Sequence, residues 1–194
     1  MLQTTFRLVA LSTLAGATLI LGGCATPARV EQMQVSSDLT KRTAATKAPL
    51  RESVAIRDVT GGKETNPMWV SNVSSADFER ALEASLRDVG LLSANRQGSK
   101  YVLVAHLEKL DQPLFGASMT VTASVRYMLV ERAGGKTLVE KVIAVPYTAA
   151  WNDAFLGAER LKLANEGAIR VNIQQLVDLL LAYDPAAGAV AIGR

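Results

Sequence analysis

The side chains best suited to covalent or proton-transfer chemistry are the single cysteine, Cys24, and the single histidine, His106, of this 194-residue chain. One cysteine forms no disulfide within the chain and excludes CxxC redox motifs and cysteine-cluster zinc sites. One histidine excludes the metal motifs that need two. We therefore expect no metal site, no redox cofactor and no catalytic residue.

A weak catalytic candidate is His106 together with Glu108, which follows two residues later in a predicted strand and so shares its face. A histidine and a carboxylate have the residue types for general acid–base catalysis. No serine or cysteine nucleophile motif accompanies them. The acidic residues Asp111, Asp153 and Glu159 are too irregularly spaced to predict a carboxylate pair. The sequence therefore predicts a protein that is not an enzyme, with chemistry at His106 and Glu108 as the alternative.

Cys24 ends the sequence Leu21-Gly22-Gly23-Cys24, which resembles the lipobox of bacterial lipoproteins. It follows Arg7 and a run of 14 mostly apolar residues from Leu8 to Leu21, too short to span about 30 Å of hydrocarbon as a helix. The resemblance implies that residues 1–23 are a signal peptide and that Cys24 carries diacylglycerol and an acylated amino group. Three acyl chains anchor firmly, because each buried methylene contributes about 0.8 kcal/mol. The alternative is a small buried cysteine at the end of a signal anchor.

The residue after the cysteine and the overall charge bear on location and partners. Residue 25 is alanine and not aspartate, which by resemblance to Gram-negative sorting rules implies the outer membrane, facing the periplasm. The net charge of +3 comes from 21 basic and 18 acidic residues that are spread through the chain. Without a basic block to bind phosphates, nucleic acid is excluded as a partner.

Two terminal segments lack the periodicity of folded elements. Residues 24–48 comprise the lipidated cysteine and a stretch rich in Ser, Thr, Ala and Lys, which predicts a flexible tether with a span of roughly 25–30 Å. Residues 185–194 are small and apolar, and we expect a frayed tail. Residues 49–184 are then the one folded domain.

Within that domain, the hydrophobic pattern predicts strands and helices in the order β-α-β-β-β-α. Strands are expected at 50–59, 101–110, 119–129 and 137–150, the third alternating strictly between apolar and polar residues. One helix is expected to open within Ser74–Asp77, where a hydroxyl caps the first turn, and to end at Gly90, and a second is expected from about 158 to 182. The predicted fold class is α+β: a two-layer sandwich of a four-stranded, mainly antiparallel sheet with two helices on one face.

Two groups of residues are candidates for binding a partner. The polar face of the third strand carries Thr120, Thr122 and Arg126, together with Ser118 and Ser124, and its simpler interpretation is an ordinary solvated face. Trp69 and Trp151 lie in irregular segments, where a large aromatic side chain either anchors a partner or plugs an end of the core.

Three segments, Asn66–Val70, Phe78–Leu86 and Leu163–Arg170, together with the lipobox, resemble a group of uncharacterised proteobacterial lipoproteins. The element order is also similar to that of small lipoproteins that assist outer-membrane assembly. Neither resemblance implies an activity or supplies a residue motif.

The sequence thus predicts a non-enzymatic lipoprotein, anchored in the outer membrane and facing the periplasm, that acts as a binding or assembly accessory by binding a protein or an envelope polymer. One alternative is an envelope enzyme that acts on glycan or lipid through His106 and Glu108. The other is a small lipid carrier with a pocket between sheet and helices.

Overall fold

The computed structural model describes residues 25–68 and 70–184, which form an α+β domain in which helices cover one face of an open four-stranded sheet. The predicted fold class is confirmed. The strands are β1 (Val54–Thr60), β2 (Tyr101–Asp111), β3 (Met119–Glu131) and β4 (Thr137–Ala149). The helices are α1 (Val30–Met33), α2 (Leu39–Lys47), α3 (Ser75–Val89) and α4 (Gly157–Leu181).

The strands lie in sequence order across the sheet. β1 pairs with β2 in parallel, through the crossover helix α3, and the two hairpins β2–β3 and β3–β4 are antiparallel. β2 lies inside the sheet, and near its start the residues on both of its faces are apolar. Val102 and Leu103, which face opposite sides of the sheet, are both buried. The long β3 follows its sequence pattern, with odd-numbered residues from 119 to 129 buried and the intervening ones facing solvent.

Helix α3 shows how local sequence fixes an element. The Ser74 hydroxyl accepts a hydrogen bond from the Asp77 amide at 3.1 Å, which caps the first turn. Gly90 ends the helix in the left-handed conformation at φ +84°, which costs a glycine no steric strain. Phe78, Leu82 and Leu86 are fully buried between α3 and the sheet.

Residues 25–48 differ from the flexible tether that the sequence predicts. This segment contains α1 and α2, which pack on the outer side of α3 and α4 as a partial third layer. Met33 is completely buried, and Ala28, Val35 and Ala45 are buried with it. The apolar residues of this segment are few and irregularly spaced in the sequence, but in the structure they pack together against α3 and α4.

None of the helices within the described residues has both the length and the apolar character to cross a membrane.

Candidate functional site

The sheet face opposite the helices is open and carries the predicted binding residues of β3. Thr120 is exposed and shares a hydrogen bond of 2.8 Å with Thr148 of β4, while Thr122 lies opposite Pro146. Val142, 40 % exposed, lies opposite Arg126. The open face is therefore mixed, with hydroxyl groups toward one end and apolar and charged groups near its middle.

Arg126 is held between two carboxylates on the open face. Its Nε and Nη2 atoms lie 2.8 and 2.6 Å from Oε1 of Glu108, and Nη1 lies 3.0 Å from Oε1 of Glu140. Glu108 and then Glu140 raise the pKa of Arg126 above its ordinary value by stabilising the cation. One cation between two anions leaves an excess negative charge, and exposed ion pairs of this kind add little stability. The cluster thus presents a charged group in fixed geometry, with hydrogen-bonding capacity left on the carboxylates.

The structure places His106 and Glu108 on the same open face but gives each another partner. Nδ1 of His106 lies 2.8 Å from the Thr60 hydroxyl on β1, and Glu108 is occupied by Arg126. The other acidic candidates are also dispersed: Asp111 pairs with Lys109, Asp153 accepts from the Ala150 amide, and Glu159 pairs with Lys162. Nowhere in the described ranges do three His, Cys, Asp or Glu side chains group closely enough to hold a metal ion.

Three loops leave the same end of the sheet, because β1 and β2 end there, β3 begins there and β4 ends there. The register places Thr60 beside His106, Asp111 beside Thr122 and Met119 beside Ala149. The loops are residues 61–73, 112–118 and 150–156. We call this part of the molecule the loop end.

The loop end carries most of the large apolar side chains that are exposed in the described part of the chain. Six of eight such residues are in the three loops, and Phe155, 98 % exposed, and Leu114, 95 % exposed, have almost no protein contact. The six are Met68, Leu114, Phe115, Trp151, Phe155 and Leu156. Trp151 is 69 % exposed and so does not plug the core, as one interpretation of the sequence would have it. Trp69 lies outside the described residues.

The start of the described chain also lies at the loop end. The Ala25 amide donates to the Pro67 carbonyl at 2.9 Å, and the Ser71 hydroxyl donates to the Thr26 carbonyl at 2.8 Å. Ala25 itself is only 6 % exposed. Cys24 lies outside the described residues, but the next residue is fixed against loop 61–73.

Buried polar side chains on α4 hold this arrangement, and sequence reasoning missed them. Asn165 donates to the Ser71 carbonyl at 2.9 Å and accepts from Gln112 at 2.8 Å, which ties two loops to the helix. Glu166, 1 % exposed, accepts from the backbone and the guanidinium of Arg29 at 2.9 to 3.1 Å. The available signal was their spacing, since Asn165 precedes the apolar Ile169 by one helical turn and shares its face.

A groove of about 760 Å³ lies along the outer edge of β1, where α3 and the loop of residues 90–96 line it with the strand. Its lining includes Glu83, Arg87 and Arg96, which are engaged in ion pairs: Arg87 with Glu83 at 2.6 Å and Arg96 with Glu79 at 2.6 Å. Ligand pockets for lipids are mostly apolar and enclosed, so this groove does not resemble the carrier pocket considered from the sequence.

No protein-family model and no curated protein matches the chain. Among solved structures, a Xanthomonas campestris protein of the DUF330 family model is 13 % identical, with a TM-score of 0.51, and the match covers 68 % of this chain and 84 % of that one. A candidate lipoprotein from Caulobacter crescentus is 12 % identical, with a TM-score of 0.48 and coverage of 73 % and 93 %. A minor lipoprotein from Acinetobacter baumannii is 12 % identical, with a TM-score of 0.45 and coverage of 69 % and 94 %.

The likeness to the Xanthomonas protein shows a shared fold. At such low identity it transfers no residue role to this chain.

Proposed function

We propose that the protein is a non-enzymatic lipoprotein that is anchored to the outer membrane through acylated Cys24 and binds an envelope protein through the open sheet face. The observation that carries the binding part is that this face lacks a covering layer among the described residues, while the opposite face has two layers of helices. A sheet face with an exposed valine, hydroxyl groups and a fixed charge cluster offers both apolar area and directional hydrogen bonds.

The charge cluster indicates what kind of partner fits. Arg126 lies between Glu108 and Glu140, so the centre of the face has excess negative charge around an immobilised guanidinium. A partner that presents a lysine, an arginine or backbone N–H groups would pair with the free carboxylate oxygens. A protein surface meets this requirement, whereas a phosphate-rich polymer would be repelled.

The anchoring part is tested by metabolic labelling with a fatty-acid analogue, followed by intact mass. The native chain should carry three acyl chains and lack residues 1–23, and Cys24→Ala should lose the label. A mature chain that keeps residues 1–23 and carries no lipid would contradict the anchor.

The binding part is tested by site-specific photocrosslinking in intact cells. A photoreactive residue at Val142 should give defined protein adducts that fall at least about five-fold when Thr122→Lys or Arg126→Ala is added, because both changes disturb the face. The matched control is the same residue at Ala44, which is exposed on α2 in the opposite layer. Adducts that are the same at both positions, or insensitive to the two substitutions, would contradict this binding surface.

The enzyme alternative keeps a decisive test of its own. Turnover of a glycan or lipid by the purified protein, abolished in His106→Ala, would overturn the non-enzymatic proposal.

A further inference from the structure

The loop end combines the start of the described chain with six of the eight large apolar side chains that are exposed in the described residues. We propose that it is a membrane-contacting surface, whose tips insert into the interfacial region of the bilayer beside the acyl chains on Cys24. This inference rests on the proposed anchoring and adds how the domain sits on the membrane. The inserted tips are Met68, Leu114, Phe115, Trp151, Phe155 and Leu156.

The position of Ala25, where the described chain starts, indicates that the partner of the loop end is a lipid surface. Consecutive Cα atoms are 3.8 Å apart, so an acylated Cys24 lies within a few ångströms of Ala25. The Ala25 amide is bonded to the Pro67 carbonyl at 2.9 Å, beside the exposed Met68. Three acyl chains on Cys24 would hold Ala25 at the headgroup region. Ala25 is itself packed against the domain, so no flexible segment separates the domain from the lipid. The loop end must therefore face the bilayer.

The chemistry of the three loops suits the membrane interface. Loop 61–73 has charged side chains only near its start, at Lys63 and Glu64, loop 112–118 contains none, and loop 150–156 contains only Asp153. The Asp153 carboxylate accepts from the Ala150 amide at 2.7 Å within its own turn. Tryptophan prefers the headgroup level, whereas phenylalanine and leucine gain free energy by leaving water. Clustered exposed apolar side chains mark an interaction surface.

The loops are also held in place before any contact is made. Asn165 of α4 binds the Ser71 carbonyl and Gln112, and Glu166 binds Arg29 just after the chain start. Arg160 donates to the carbonyls of Ala154 and Phe155 at 2.7 and 3.0 Å. Membrane contact thus needs little ordering of the backbone, which lowers its entropic cost.

The test uses the full mature chain, purified from membranes and reconstituted into phosphatidylethanolamine–phosphatidylglycerol vesicles with brominated acyl chains. The chain has two tryptophans, so Trp69→Phe leaves Trp151 as the reporter. We expect a blue-shifted emission that is quenched by more than half. Adding Phe115→Ser and Phe155→Ser should reduce the quenching at least two-fold, and both positions are exposed enough for the fold to tolerate the change.

The matched control places the reporter at the other end of the molecule. Leu39 is 82 % exposed at the start of α2, whose Lys41 binds Asp178 near the end of α4. Leu39→Trp, in a chain with both native tryptophans changed to Phe, should show unshifted and unquenched emission. Equal quenching at positions 39 and 151 would overturn the proposal.

Two further outcomes separate this inference from the anchoring proposal. An acylated, vesicle-bound chain whose Trp151 is unquenched would overturn the loop contact and leave the anchor intact. If intact mass shows no acyl chain, the anchor fails, and quenching of the same sample by added vesicles still decides the loop contact.

A blue shift that is present without vesicles and disappears on dilution would show that a second copy covers the loops, which would overturn the proposal.

Discussion

Asn172 is a buried side chain that binds helix and sheet together at the centre of the fold. From α4 it donates to the carbonyls of Ala123 and Ile143 at 2.9 and 2.8 Å and accepts from the Tyr127 hydroxyl at 2.8 Å. Burial raises the pKa of Tyr127 well above its usual value, so this hydroxyl stays a donor at any physiological pH. The amide thus uses its two donors and its acceptor at one place on the sheet.

Asn172→Leu should destabilise the domain by about 2–4 kcal/mol, since a buried hydroxyl loses its acceptor and two carbonyls lose a donor. Urea unfolding monitored by circular dichroism measures this. Tyr127→Phe is the matched control, because it removes a single hydroxyl and should cost about 1 kcal/mol. A loss for Asn172→Leu no larger than for Tyr127→Phe would show that the amide contributes no link between helix and sheet.

Asp88 makes stability depend on pH where the N-terminal segment meets α3. The Ser37 amide, as the largest cause, and then the Ser37 hydroxyl and Arg42 lower the pKa of this carboxyl from its usual 3.8. A carboxyl whose pKa is lower in the folded state stabilises that state fully above its unfolded pKa. The contribution is lost as the pH falls below about 3.8 and through the folded value.

The difference in free energy of unfolding between the native chain and Asp88→Asn should therefore be larger at pH 6 than at pH 3. Urea titrations at both values measure it. Ser37→Ala keeps the backbone donor, so it should give a smaller change in the same direction. A difference that is constant across this range would contradict the role of the ionised carboxylate.

For single residues, the sequence predicted the structure where the residue type and its immediate neighbours determine the local backbone. A hydroxyl cap within Ser74–Asp77, which the structure places at Ser74, and the glycine stop at Gly90 follow from local hydrogen bonding and backbone freedom. It failed for Glu166 and Asn165, because their partners Arg29, Ser71 and Gln112 lie more than 50 residues away. No local pattern encodes such pairs.

Among the elements, α4 depends on a close approach to the sheet at one glycine. A Cβ atom at Gly167 would lie 2.1 Å from Cδ1 of Tyr147. The Arg170 guanidinium lies over this ring at 5.5 Å from its centroid, so a shift of the ring would also disturb that contact. Glycine is thus required by packing at a position where helix propensity would favour alanine.

Gly167→Ala should lower the free energy of unfolding by about 1–3 kcal/mol, since the clash outweighs a propensity gain of about 1 kcal/mol. Thermal and urea unfolding measure the net effect. Gly157→Ala is the matched control in the same helix, because its Cβ would meet atoms no closer than 3.7 Å. This variant should be as stable as the native chain or slightly more so, and equal destabilisation of both variants would argue against the close contact with Tyr147.

Element positions were predictable in proportion to their periodicity. The last helix was expected from about residue 158 to 182 and runs from Gly157 to Leu181, and the strictly alternating β3 begins where expected. The first strand begins at Val54 and not at residue 50, because Leu50 packs in the core as part of a turn. Helices α1 and α2 were missed, since short helices gain their stability from packing on α3 and α4 and not from their own sequences.

For the whole molecule, the layer of α1 and α2 determines how the domain would sit relative to the proposed anchor at Cys24. A flexible tether would let the domain rotate freely and stand roughly 25–30 Å from that anchor. The observed segment is pinned by Arg29 to Glu166, by Ser37 to Asp88 and by Lys41 to Asp178. Composition alone could not distinguish a flexible tether from packed helices in residues 25–48, because the same Ser, Thr, Ala and Lys residues suit a mobile linker and an exposed helix.

The crossing of the domain by α4 has a consequence for what lies beyond it. The helix starts at the loop end, and its 25 residues rise about 37 Å along the helix axis before the chain reaches Tyr183. The described chain therefore begins and ends at opposite ends of the domain. A fluorescent label or affinity tag joined directly after Asp184 would therefore start at the end of the domain distant from Ala25. Such fusions leave the proposed acylation site at Cys24 unobstructed, which makes this end of the domain the place to attach reporters.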